Sequence, residues 1–138
     1  MPDYWFAWER LSSWQPLVAD IYQKVDRGHS LEDVKTTIQV AKDAGYKVSV
    51  HMMPNLLSEP EDDIRYFEEL FKNQNYKPDG LKIYPLLLLP STRLYEDWKK
   101  GILDPEPYDD ELLVKTLAKI KNSLPEYTRI HRIQRDIP

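Results

Sequence analysis

The 138-residue chain is 41% hydrophobic and 12% aromatic, enough for one modest core, and its 19 basic against 23 acidic residues give a charge of −4, which argues against wholesale electrostatic binding to nucleic acid. Cysteine is absent, so this chain supplies no disulfide, thiolate metal site, iron–sulfur ligand or cysteine nucleophile. The longest apolar run, 86–89 between Pro85 and Pro90, is far short of a membrane span, and the start is acidic rather than signal-like, so a cytoplasmic chain with no membrane partner is expected.

The first clear element is a helix over 30–45. Ser30 is placed to cap it, Asp33 sits at the capping-box offset, and Leu31, Val34, Ile38 and Ala41 recur on one face until Gly45 ends it. Residues 46–53 then alternate, with Val48, Val50 and Met52 on one side and Ser49, His51 and Met53 on the other, which predicts a strand with two unlike faces. The unit repeats. A loop at 54–58 leads to a helix over 60–73 with Ile64, Phe67, Leu70 and Phe71 inward, and Asp79-Gly80 opens a short strand at 81–84 in which Leu81 and Ile83 oppose Lys82 and Tyr84. The charge run at 59–69 reads as a solvated helix face.

A third round has a short helix over 92–100, a proline-containing loop, a helix over 109–123 bearing Leu113, Leu117 and Ile120, and a closing strand at 127–134. Strands alternating with helices imply right-handed crossovers and a parallel sheet. A doubly wound sheet would bury both strand faces, whereas these strands have one apolar and one polar face, which suits a barrel with a functional lumen. Three strands cannot close a barrel, so the expected fold is α/β, a partial (β/α) TIM-like barrel.

The residues that carry chemistry fall into three groups. His51, Lys82 and Tyr84 project opposite the apolar faces and are candidates for lining the lumen or contacting a cofactor. Arg27 and His29 precede a helix start, where basic side chains and backbone amides can hold a phosphate; a simple turn and salt bridge explain them equally well. The terminal stretch YTRIHRIQRDIP concentrates Arg129, Arg132 and Arg135, whose guanidinium forks suit phosphate oxygens, although anchoring of the strand end is an equal alternative. Strict alternation would set Arg129, His131 and Ile133 on one side and Thr128, Ile130, Arg132 and Gln134 on the other. Met52, Met53 and Pro54 fit ordinary core packing better than a wall for an adenine ring.

Four ordered blocks, DRGHS at 26–30, AKDAGYKVSVHMMPNL at 41–56, YKPDGLKIYPLLLLPSTRLYEDWKKG at 76–101 and RIHRIQRDIP at 129–138, resemble the catalytic-subunit family of Elongator. That resemblance implies a radical S-adenosylmethionine (SAM) enzyme acting on the wobble uridine of tRNA. In such an enzyme the first half of the barrel holds a [4Fe–4S] cluster through cysteine thiolates, and an acetyltransferase-like domain handling acetyl-CoA follows. The family chemistry is an acetyl-derived radical, formed with a 5′-deoxyadenosyl radical, adding to uridine C5 to give a carboxymethyl group.

Only the second half of that barrel is matched, over 20–138. The expectation is therefore a fragment of a tRNA uridine C5-carboxymethylating acyltransferase that binds no cofactor and is inactive alone, its partners being tRNA, the missing N-terminal half-barrel and the acetyltransferase domain. Residues 1–19, with Trp5, Trp8 and Trp14 and no clean alternation, depart from the pattern. A truncated or frameshifted reading frame, or a divergent start, accounts for them. The alternatives are a nonenzymatic tRNA-binding or scaffold fragment and a small unrelated α/β enzyme; the last lacks a nucleophile–base, paired-carboxylate or metal-ligand spacing.

Overall fold

The computed structural model describes residues 30–102 and 106–135. Its elements run α1 (Leu31–Asp43), β1 (Ser49–Met52), α2 (Pro60–Lys72), β2 (Gly80–Ile83), α3 (Arg93–Lys99), α4 (Asp110–Ser123) and β3 (Arg129–Ile133). The three strands form one parallel sheet in the order β1-β2-β3. This is the partial α/β architecture expected from the strand–helix alternation.

Local chemistry sets the element ends. At α1 the Ser30 hydroxyl accepts from the Asp33 amide while the Asp33 carboxylate accepts from the Ser30 amide at 2.7 Å, a reciprocal capping box. Its other end closes through Gly45, whose φ of +83° lets its amide reach the Lys42 carbonyl at 2.9 Å and the Tyr46 amide reach the Ala41 carbonyl at 3.0 Å. Gly101, at φ +68°, ends α3 with the same pair of bonds, to Trp98 and Asp97.

All the helices that contribute to the main core cover one face of the sheet. Val48, Val50, Met52, Leu81 and Ile83 pack beneath Val34 and Ile38 of α1, Tyr66, Phe67, Leu70 and Phe71 of α2, and Ile120 of α4. Full burial of such side chains contributes about 1.5–3 kcal/mol each, which fixes the register of the apolar face. A second apolar cluster lies past the C-terminal ends of β1 and β2, where buried Leu56 and Leu86 pack with Met53, Leu57, Leu88 and Leu94.

Candidate functional site

The face of the sheet opposite the core carries the polar side chains. Register pairs His51 with Lys82, one residue from the pair Val50 and Leu81 on the buried side. The Tyr84 ring meets His51 edge-on, with centroids 4.6 Å apart. His51, Lys82 and Tyr84 therefore share one side, and Val48 and Val50 lie on the other.

The third strand does not follow strict alternation. Gly80 pairs with Arg129 and Leu81 with Ile130, but Lys82 pairs with Arg132, so β3 holds one extra residue at a bulge. The consequence is that His131 and Arg132 both reach the open face. His131 Nε2 lies 3.0 Å from the Ser49 hydroxyl on β1, while Arg132 Nη1 donates to the Tyr84 hydroxyl at 3.2 Å. Separating His131 from Arg132 by alternation is thus overturned by the irregular pairing. The His131 bridge crosses the middle strand directly over Gly80, where an added Cβ would sit 2.5 Å from both His131 Nε2 and Ser49 Oγ.

Among the described residues, basic groups lie side by side on this face. Partial burial and the nearby Arg132 guanidinium push the Lys82 ammonium below its usual range. Burial, then Arg129 and Lys82, push the His131 imidazole down. Lys82 and Arg132, cations paired in register on neighbouring strands, favour an anion beside them.

Arg135 belongs elsewhere. Its guanidinium lies 3.4 Å from Asp110 at the start of α4, an exposed ion pair that ties the end of β3 to that helix. Arg27 and His29 lie outside the described residues.

The charge run at 59–69 is not uniformly solvated. Asp63 is 1% exposed because it falls on the same helical face as Phe67, Leu70 and Phe71. Its Oδ1 accepts from the Ser58 hydroxyl at 2.6 Å, and its Oδ2 accepts from the Asn55 amide at 2.7 Å and the Tyr108 hydroxyl at 2.9 Å. Asn55 in turn accepts from the Tyr108 amide at 2.8 Å and donates to the Glu106 carbonyl at 3.3 Å. Burial raises the Asp63 carboxyl to about 6 against the pull of these donors. The position of Asp63 at the i−4 and i−7 offsets from Phe67 and Leu70 is the signal in the sequence that would have found it.

A family model described as the radical SAM C-terminal domain matches residues 78–138. Elongator complex protein 3 of Saccharomyces cerevisiae is 46% identical over 125 residues, 90% of this chain and 22% of that protein. The tRNA uridine(34) acetyltransferase of Methanocaldococcus jannaschii is 42% identical over 90% of this chain and 23% of its own length. The solved structure of the archaeal Methanocaldococcus infernus Elp3 with an N-terminal deletion superposes with a TM-score of 0.81 at 42% identity, over 90% of this chain and 29% of that one. Over nine-tenths of its length the chain is similar, as a partial barrel, to the Elongator catalytic-subunit family. It spans under a quarter of the length of these curated relatives.

An iron–sulfur cluster does not fit the side chains present. The sequence has no cysteine, and among the described residues no group of three or more His, Asp or Glu is placed to hold a metal ion. Cysteine thiolates for such a cluster do not come from this chain. No helix among the described residues is long and apolar enough to cross a membrane.

Proposed function

We propose that this chain supplies the C-terminal half of the radical SAM barrel of a tRNA wobble-uridine-modifying enzyme of the Elongator type, with 20–138 as that half-barrel and 1–19 as a divergent or artefactual segment. The cluster ligands and the acetyl-CoA chemistry are then the work of the remaining parts of the enzyme, and this chain alone is inactive.

The observation that carries this reading is the polar character of the sheet face opposite the core. A parallel sheet in a complete α/β fold normally buries apolar side chains on both faces, whereas among the described residues the second face bears Ser49, His51, Lys82, Tyr84, His131 and Arg132, with Arg129 in register beside Gly80. In a closed barrel this face becomes the lumen. Guanidinium groups bind carboxylate or phosphate through paired donors, so Arg129 and Arg132 suit the anionic groups of SAM or of an RNA substrate. Tyr84, held by Arg132 and packed against His51, gives these cations a fixed floor.

The test pairs melting temperature with tRNA affinity at two salt concentrations for Arg129→Ala, Arg132→Ala and Arg135→Ala. Loss of a phosphate contact weakens affinity and reduces the salt slope by about one counterion. Open-face arginines are expected to do this and Arg135 is not. An unchanged salt slope in both Arg129→Ala and Arg132→Ala would remove the RNA role from this face.

A further inference from the structure

The Asp63 network holds a loop that its own sequence does not favour. Residues 54–58 connect β1 to α2, and within them Asn55 and Leu57 adopt φ of +65° and +56°. Asparagine tolerates this region, but a leucine there is strained and persists only where its surroundings over-determine it. Two sets of contacts do so. The polar set binds the Asn55 amide to Asp63 on α2 and the Asn55 side chain to the backbone of 106–108. Packing of Leu57 against the cluster of Leu56 and Leu86, together with the 2.9 Å bond from the Leu86 amide to the Pro54 carbonyl, provides the second.

The loop and the 106–108 segment meet beyond the C-terminal end of β1, and 86–94 continues beyond β2. In parallel α/β barrels the carboxyl ends of the strands form the ligand-binding mouth. A buried carboxylate with three donors is more than a helix start requires: Asp63 lies in the first turn of α2, yet the Ser58 hydroxyl, the Asn55 amide and the Tyr108 hydroxyl that it accepts from all lie outside that helix.

We propose that Asp63 and Tyr108 are positioning residues that clamp loop 54–58 in its strained shape, so that the mouth at the carboxyl ends of β1 and β2 is preformed for substrate. Tyr108 is the removable half of the clamp. Its hydroxyl is shared between the Ser58 carbonyl and Asp63, both at 2.9 Å, and its amide secures Asn55. The charged groups around the clamp are acidic: Glu59, Glu61 and Asp62 lie at the start of α2, and Glu106 lies beside Tyr108. Asp62 is engaged by Arg65 at 2.6 Å, and Glu106 accepts from the Trp98 indole at 2.9 Å. Burial first, and the nearby Asp62 carboxylate last, make ionisation of Asp63 work against closure. Below the ordinary Asp value of 3.8 the clamp is fully stabilised by the protonated acid, and that stabilisation is lost as pH rises to about 6.

The substrate role rests on the function proposed above; the clamp does not, and the experiment separates them. Hydrogen exchange of the intact chain is followed residue by residue for wild type, Tyr108→Phe and Asp63→Asn, with tRNA affinity measured in parallel. In Tyr108→Phe the amides of 55–57 are expected to exchange about tenfold faster, while those of Val50, Leu81 and Ile83 hold their protection. In wild type, after correction for intrinsic exchange, the loop's opening constant is expected to rise about 100-fold between pH 4 and 7. Asp63→Asn keeps an acceptor for the Asn55 amide and should abolish that pH step. Loop and core amides losing protection together in either variant, or a pH step that survives Asp63→Asn, would overturn the clamp. Tyr108→Phe should also weaken tRNA several-fold at an unchanged salt slope; a loosened loop with unaltered affinity would overturn the substrate role. A wild-type chain that binds no tRNA would sink the proposed function and the substrate role with it, while the exchange data would still decide the clamp.

Discussion

Gly80 is the position where a single methyl group interrogates the open face. In Gly80→Ala the new Cβ would stand 2.5 Å from Ser49 Oγ and His131 Nε2 and 2.9 Å from His131 Cδ2, closer than side-chain atoms approach. Both neighbours are side-chain ends, so they move rather than the backbone. Movement breaks their 3.0 Å hydrogen bond, a loss of about 1 kcal/mol, and an imidazole forced off its rotamer adds about 1 kcal/mol. Against this, φ at Gly80 lies outside the left-handed region, so alanine fits the backbone and recovers about 0.4–1 kcal/mol through the unfolded state. The net expectation is a destabilisation of about 1 kcal/mol, read as a lower urea midpoint with an unchanged slope. In a Ser49→Ala, His131→Ala background the obstruction is gone and the same substitution should become stabilising by about 0.5 kcal/mol. An equal effect of Gly80→Ala in both backgrounds would refute the idea that the bridge over β2 organises this face.

Other outcomes follow from the same contacts. His131 should titrate below the ordinary value of 6.5 by NMR, and Arg129→Ala or Lys82→Ala should move it upward. Because the folded state disfavours the imidazolium, this residue's contribution is complete above 6.5 and declines as pH falls through that value. Asp110→Ala breaks an exposed ion pair with Arg135 and should cost under about 1 kcal/mol in denaturant unfolding. Leu81→Ala, at a fully buried position, should cost about 2–5 kcal/mol. After anaerobic reconstitution the purified chain should produce no 5′-deoxyadenosine above a no-protein control, since it has no thiolate for a cluster.

The elements were legible because local signals agreed with one another. Ser30 with Asp33, and Gly45 after the last apolar position, mark both ends of α1, and the structure uses those residues to form its capping box and its C-terminal turn. The two-faced strands were equally plain, since Val50 and Leu81 must be buried together if His51 and Lys82 are to share the other side. What alternation could not reveal was the bulge in β3. That extra residue depends on how β3 meets β2, and it alone brings Arg132 to Tyr84 while leaving His131 against Ser49. Asp63 was hidden for a different reason. An aspartate among acidic neighbours reads as solvated, and only its partners Ser58, Asn55 and Tyr108, the last 45 residues away, make its burial tolerable.

The most direct test of the proposed function is a graft. Residues 30–135 would replace the matching stretch of the Methanocaldococcus jannaschii tRNA uridine(34) acetyltransferase, with 5′-deoxyadenosine formation measured with and without tRNA. A half-barrel of this kind predicts a folded chimera in which 5′-deoxyadenosine formation, and its response to tRNA, match those of the ungrafted enzyme measured alongside, and in which Arg132→Ala within the graft alters the response to tRNA. A folded, cluster-containing chimera that has lost the SAM cleavage, or the response to tRNA, shown by the ungrafted enzyme would contradict the account.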